Sequence, residues 1–181
     1  MYRRILTAAI LATAFGLQAA SAGAEEFHAT FSGFNEVGGL GAGETGAILS
    51  EGKARLTLDL SRARQTITFR LTYSGLSAPV TQAHIHLGKV HVAGGVMVFF
   101  CSSLTSAPAG VQACPADGGT VTGTITSANV LAILGQHVSA GDFDALTDAL
   151  LSNTAYANIH TSSFPAGEIR GEIRRGGEDE D

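Results

Sequence analysis

The chain has 181 residues, a length that suits one domain after an N-terminal targeting segment is subtracted. It carries 11 basic and 16 acidic residues and a formal net charge of −5. No stripe of lysine and arginine occurs along it, which argues against a nucleic-acid-binding surface.

The first 24 residues have the features of a secretory signal peptide. The basic segment "MYRR" precedes the apolar run "ILTAAILATAFGLQAA", and small residues in "ASA" and "AGA" follow as cleavage sites. The alternative is a membrane anchor, which needs about 20 strongly apolar residues. Two adjacent arginines leave general secretion and twin-arginine export both open. We therefore expect a periplasmic or secreted protein without a transmembrane anchor in its mature chain.

Alternating apolar and polar residues predict strands along most of the mature chain. In "KARLTLDL" every second residue is apolar, and "QTITFRLTYSGL" repeats the pattern after the turn "SRAR". A period of two places the apolar side chains on one face of a strand, so these two arms predict a β-hairpin. Further strands are predicted at "FHATFSG", "VTQAHIHL", "GVMVFFC", "GTVTGTIT", "YANIHT" and "GEIRGEIRR".

One region has helical periodicity instead. "SANVLAILG" predicts a short helix over residues 128–134, and "AGDFDALTDALLSN" predicts another over 143–151 with Asp142 as its N-cap. Seven or eight short strands with glycine-rich turns favour an all-β, antiparallel sandwich or barrel, with the helices as a crossover. The domain is expected over residues 25–175, followed by a disordered acidic tail over 176–181.

Two cysteines, Cys101 and Cys114, remain in the mature chain. In an exported protein an even pair predicts a disulfide. The competing interpretation is a thiolate metal site, but thirteen positions of separation without a CxxC pair disfavour it.

The segment "AHIHLG" raises the question of a metal site. On a strand, His84 and His86 point to the same face with Cβ atoms about 7 Å apart, while Ile85 points away. If the "NIHT" strand lies beside this one, His160 joins them, and His91 in the following loop could supply a fourth nitrogen. Copper or zinc suits such a nitrogen-rich set. The alternative is a structural role, in which the imidazoles bond backbone carbonyls and loop hydroxyls.

Charged residues alternate in "GEIRGEIRR", so that Glu168 and Arg170 share one face of a strand. One interpretation is a structural ion pair between them. The other is that Glu168 bonds a histidine nitrogen and fixes its tautomer, with Arg170 neutralising the carboxylate. The sequence leaves both open.

No catalytic residue is predicted. The chain lacks a GxSxG nucleophile elbow, and "GGLGAG" lacks the lysine and the helix that follow in a phosphate-binding loop. The cysteines are assigned to the disulfide and are not expected to act as nucleophiles.

The motifs "FNEV", "AHIHLG", "GTVTG", "SAGDF" and "YANIHTSSFPAGEIRGEI", in this order, resemble the CHRD domain, which is named for its repeats in chordin. The resemblance covers about residues 27–174. It implies an immunoglobulin-like β-sandwich, and the bacterial members of the family are typically exported single domains. It implies no settled enzymatic activity. The glycine-rich "VGGLGAGETG" departs from the proline-containing stretch that usually follows the "NE".

Taken together, these features predict an exported, non-enzymatic binding or interaction module with an unidentified extracytoplasmic partner. The alternative is a copper- or zinc-binding protein that uses His84, His86 and His160. A redox enzyme of the superoxide dismutase type comes last, because it would also need an open coordination position and no further carboxylate ligand is apparent.

Overall fold

The computed structural model describes residues 24–38 and 46–177. The predicted signal peptide lies, except for its last residue, outside the described residues, and so does the acidic end of the chain from residue 178. Within the described parts there are nine strands: β1 Glu25–Thr30, β2 Lys53–Ser61, β3 Thr66–Ser74, β4 Val80–Leu87, β5 Gly95–Ser102, β6 Gly119–Ile125, β7 Ala155–Thr161, β8 Ile169–Glu172 and β9 Arg174–Arg175.

The strands form two antiparallel sheets, which confirms the all-β sandwich. One sheet has five strands in the order β6-β3-β2-β1-β9, and the other has four in the order β5-β4-β7-β8. The predicted hairpin is β2 and β3, in which Leu56 lies opposite Leu71 and Leu58 opposite Phe69. All four side chains are buried in the core, because alternation directs one face of each strand inward.

The predicted helix over 143–151 is confirmed as α1, Phe143–Leu151. The side chain of Asp142 caps it by accepting a hydrogen bond from the Ala145 amide at 2.9 Å. Its apolar stripe, which includes Phe143, Leu146 and Leu150, is buried. The helix and the segment before it form the crossover between β6 and β7.

The predicted helix over 128–134 is wrong. Two single 3-10 turns, Ser127–Asn129 and Leu134–Gln136, flank an extended stretch. The Leu131 amide donates to the Met97 carbonyl on β5, and Ile133 forms a bridge with Val138. These backbone groups bond neighbouring segments, so they are not available for the regular pattern of a helix.

The predicted disulfide between Cys101 and Cys114 is confirmed, and both cysteines are buried. Cys101 lies on β5, and Cys114 lies in the loop that leads to β6. The bond therefore anchors a loop of small and polar residues to the four-stranded sheet.

Removing this disulfide should destabilise the fold. In the loop-entropy description, closing a loop of this size contributes about 3 kcal/mol. We expect the double variant Cys101→Ala, Cys114→Ala to lose about that much free energy of unfolding in urea. Reduced wild-type protein is the matched control and should lose a similar amount. A loss below about 1 kcal/mol in both would contradict the assigned role.

The four-stranded sheet carries polar residues on its outer face. Alternation places Ala83, Ile85, Ala157 and Ile159 in the hydrophobic core. The intervening residues of β4 and β7 point to the opposite face, and several of them are polar yet buried. None of the described segments forms a helix with the length and hydropathy that crossing a membrane requires.

Candidate metal centre

Three histidines that are distant in the sequence meet on this outer face. β4 and β7 are hydrogen-bonded neighbours, with His84 opposite Asn158 and Gln82 opposite His160. His86 lies two residues further along β4, on the same side as His84. The proximity expected for His84, His86 and His160 is therefore present.

The three imidazoles form a compact and buried cluster, which we call the histidine cluster. His84, His86 and His160 are 2%, 7% and 6% exposed. One ring nitrogen from each lies within 4.8 Å of the others. A point within about 2.8 Å of all three nitrogens therefore exists, compared with metal–nitrogen bonds of about 2.0–2.1 Å.

The loop after β4 fixes the orientation of His86. Its Nδ1 donates to the Gly94 carbonyl at 2.9 Å, so the proton of a neutral ring resides on Nδ1. The Tyr156 ring stacks on the imidazole at 4.7 Å and 6°, and the Tyr156 hydroxyl accepts from the Gly94 amide. A side chain at Gly94 would collide with the Leu87 carbonyl, so this close approach requires glycine.

Arg170 holds the same loop from the other side of Tyr156. Its guanidinium donates to the Val92 carbonyl at 3.1 Å and to the Lys89 carbonyl at 3.2 Å. Its Cζ lies 3.4 Å from the centre of the Tyr156 ring, a cation–π contact. Arg170 is fully buried and forms its ion pair with Glu172. It therefore positions His86 through the loop and through Tyr156.

The orientation of His160 is fixed in the same way. Its Nδ1 donates to the Pro165 carbonyl at 2.8 Å. Carbonyl oxygens only accept, so both His86 and His160 carry their protons on the nitrogen that points away from the cluster. Their Nε2 lone pairs face inward. This is the arrangement that positions metal-ligating histidines in proteins.

His84 is the third member and has no such support. Both of its ring nitrogens are buried without a hydrogen-bond partner. Its neighbours are other rings: Phe99 packs edge-on at 4.3 Å between centroids, and His160 lies at 4.9 Å. Leaving a buried polar group unpaired is costly, since its hydration is lost without compensation.

The surroundings keep the cluster uncharged. Burial, and then the neighbouring His160 and His86, lower the pKa of His84 to about 2. Burial also lowers the pKa of His86 to about 4 and that of His160 below its ordinary value. All three rings are therefore neutral near pH 7, which is the form that binds metal ions.

Two polar residues near the cluster were not identified from the sequence. The Oδ1 atom of Asn158 lies 3.0 Å from Nε2 of His86 and 3.0 Å from Nε2 of His160. Its Nδ2 donates to the buried Glu36 carboxylate at 3.4 Å. Burial raises the pKa of Glu36. The alternation along β7 puts Asn158 on the same face as His160, so the sequence could have indicated it. Glu36 is distant in the sequence, and only the fold brings it near Asn158.

His91 is not part of the histidine cluster. It is exposed, in the loop after β4, and its φ of 61° is in the left-handed region. The three residues that converge are those of β4 and β7.

Neither expectation for Glu168 describes its surroundings. Its carboxylate accepts hydrogen bonds from the Ser50, Ser77 and Thr161 side chains, and from the Ser77 amide. Burial alone would raise the pKa of Glu168, but these hydrogen bonds outweigh it and lower the pKa. The carboxylate thus ties the loops around β2, β4 and β7 together, while Arg170 pairs with Glu172. The local charge alternation could not reveal these partners.

Comparisons with known proteins identify the family. No curated protein and no solved structure matches the chain. The family model described as the CHRD domain matches residues 27–173, which include the four-stranded sheet and every member of the histidine cluster. The protein therefore belongs to the CHRD domain family.

Proposed function

We propose that this protein is an exported metal-binding module that holds one copper or zinc ion with His84, His86 and His160. The observation that carries the proposal is the pair of unpartnered, buried nitrogens of His84. They lie beside two imidazoles whose Nε2 lone pairs face the same centre. An ion bound there would be the partner of one His84 nitrogen and of the inward Nε2 lone pairs of His86 and His160, so the cost of leaving these three lone pairs unpaired would be offset.

The chemistry of the donors supports these two metals. Neutral imidazole nitrogen binds both zinc and copper, and three such ligands leave room for one further donor in a tetrahedral site. The outward Nδ1 hydrogen bonds to Gly94 and Pro165 would hold His86 and His160 in the ligating orientation.

Burial favours binding over catalytic turnover. A redox enzyme would need a coordination position that a substrate can reach, whereas the three histidines are almost inaccessible to solvent. Phe99 also packs edge-on against His84. We therefore propose a non-enzymatic module, with storage, delivery or a structural contribution as the consequence of binding.

Export is part of the same proposal. The features of residues 1–24 are those of a signal peptide, and the disulfide belongs in an oxidising compartment. Membership of the CHRD family supports an extracytoplasmic location as well. We place the mature protein in the periplasm or outside the cell.

A titration of the chelator-treated protein tests metal binding. We expect one equivalent of zinc or copper to bind and to raise the melting temperature, because an ion that binds only the folded state stabilises it. An excess of 100 times the dissociation constant corresponds to about 2.7 kcal/mol. The double variant His84→Ala, His160→Ala should lose both effects.

Two further histidine variants serve as controls. His91→Ala and His137→Ala alter exposed residues outside the cluster, so they should bind as the wild type does. Loss of binding in His91→Ala would add His91 to the ligands. A wild-type protein without stoichiometric binding, or a double variant that keeps it, would reject the proposed function.

A further inference from the structure

The side-chain oxygen of Asn158 faces acceptor nitrogens of two neighbouring histidines. Nδ1 of His86 and Nδ1 of His160 each donate to a backbone carbonyl, so the Nε2 atoms of the neutral rings are acceptors. Both Nε2 atoms nevertheless lie 3.0 Å from the side-chain oxygen of Asn158, which is also an acceptor. Three lone-pair-bearing atoms therefore face one another without a proton between them.

A cation resolves this arrangement, and the distances fit one. In a tetrahedral site with metal–ligand bonds of about 2.0–2.1 Å, neighbouring donor atoms lie about 3.3 Å apart. Oδ1 of Asn158 lies 3.0 Å from each of the two Nε2 atoms, which is close to the distance between neighbouring donor atoms in such a site. The oxygen thus occupies the position of a fourth donor next to two of the three imidazole nitrogens.

The surroundings hold the amide with its oxygen toward the histidines. The Glu36 carboxylate accepts from Nδ2, and an inverted amide would place Oδ1 against that carboxylate. Gly167, with a φ of 131°, leaves the necessary space, because any side chain there would collide with Glu36. Glu36 is therefore a positioning residue, because it accepts the hydrogen bond from Nδ2.

From this geometry we infer that Asn158 supplies the fourth ligand, so that the site is a three-nitrogen, one-oxygen set selective for divalent zinc or copper over monovalent copper. The inference rests on the proposed function. Carbonyl oxygen is a hard donor that suits divalent ions, whereas monovalent copper prefers soft ligands. Removing the oxygen should therefore weaken the binding of divalent ions much more than that of monovalent copper.

The experiment compares the affinities of three variants for Zn²⁺ and for Cu⁺, measured by competition with chromophoric chelators. In Asn158→Leu we expect the Zn²⁺ affinity to fall 10–100-fold and the Cu⁺ affinity to change less than about threefold. Asn158→Asp keeps an oxygen in place and adds a negative charge, so its Zn²⁺ affinity should exceed that of the wild type and rise more than its Cu⁺ affinity. Gln82→Leu, an amide replacement on the same face outside the cluster, should bind both ions normally.

The outcomes separate this inference from the proposed function. Wild-type protein that binds neither ion overturns both. Two results would overturn the assignment of Asn158 as fourth ligand while the wild type still binds metal. One is an unchanged Zn²⁺ affinity in Asn158→Leu. The other is an equal loss of affinity for both ions in Asn158→Leu with no recovery in Asn158→Asp. If Asn158→Leu does not fold, Asn158→Asp decides: a ratio of Zn²⁺ to Cu⁺ affinity that is not raised contradicts the inference.

Discussion

Replacing Arg170 by methionine is expected to lower the free energy of unfolding by about 3–5 kcal/mol, the usual cost of removing one partner from a buried ion pair. The guanidinium is fully buried, and its loss leaves the Val92 and Lys89 carbonyls and the Glu172 carboxylate without their donor. Arg170→Lys should also be strongly destabilised, because a single ammonium group cannot reproduce the planar fork. Urea denaturation at neutral pH measures both losses.

The control is Arg70→Met on the exposed face of β3. Arg70 is exposed, so its replacement should stay within about 0.5 kcal/mol of wild type. Arg170→Met should also weaken metal binding 10–100-fold, because the loop that fixes the tautomer of His86 loses its anchor. A stability change of less than about 1 kcal/mol would show that the loop does not depend on the guanidinium.

Acid should destabilise the metal-free protein more steeply than a typical β-sandwich. The pKa of His84 is lowered to about 2 and that of His86 to about 4, while the unfolded chain binds protons on both residues near 6.5. The unfolded state therefore binds more protons as the pH falls below 6.5, and stability decreases. At pH 5 each of the two histidines costs about 2 kcal/mol, and His160 acts in the same direction.

A comparison with His84→Phe isolates this effect. Phenylalanine has a similar shape and cannot be protonated, so the variant should lose about 2 kcal/mol less than wild type between pH 7.5 and 5. Glu36, whose pKa is raised, acts in the opposite sense, but it contributes equally to both proteins and cancels in the comparison. Urea denaturation of both proteins at pH 7.5 and pH 5, in the presence of chelator, measures the difference in their pH dependence. Equal pH dependence in the two proteins would contradict the assignment of a depressed pKa to His84.

The fold was predictable because its signal is local. Alternation within "KARLTLDL" and "QTITFRLTYSGL" identifies the inward faces of β2 and β3 without knowledge of the partner sheet. The helix at Phe143–Leu151 was predictable because its cap and its apolar stripe lie within ten residues. The segment 128–134 failed for the opposite reason: its amides bond Met97 and Val138, and the local sequence contains no sign of those partners.

The site was predictable only where strand geometry governs it. A period of two placed His84 and His86 on one face, and their convergence with His160 followed once the two strands were neighbours. The supporting contacts are different, because they come from loops. Glu36 precedes β2, Gly94 follows β4 and Pro165 follows β7, and their places depend on how the loops pack over the sheet. Charge alternation also suggested the wrong partner for Arg170, since it gives a shared face and not a contact.

Extended X-ray absorption fine structure of the protein loaded with one equivalent of zinc, free of any affinity tag, measures the ligands of the histidine cluster. We expect three imidazole ligands at about 2.0–2.1 Å and one oxygen donor at about 2.0–2.2 Å. We also expect His84→Phe to lose the three-imidazole signature. A spectrum with no imidazole scattering or with a single imidazole, or one that is the same in His84→Phe, would contradict the assignment of the histidine cluster as a metal centre.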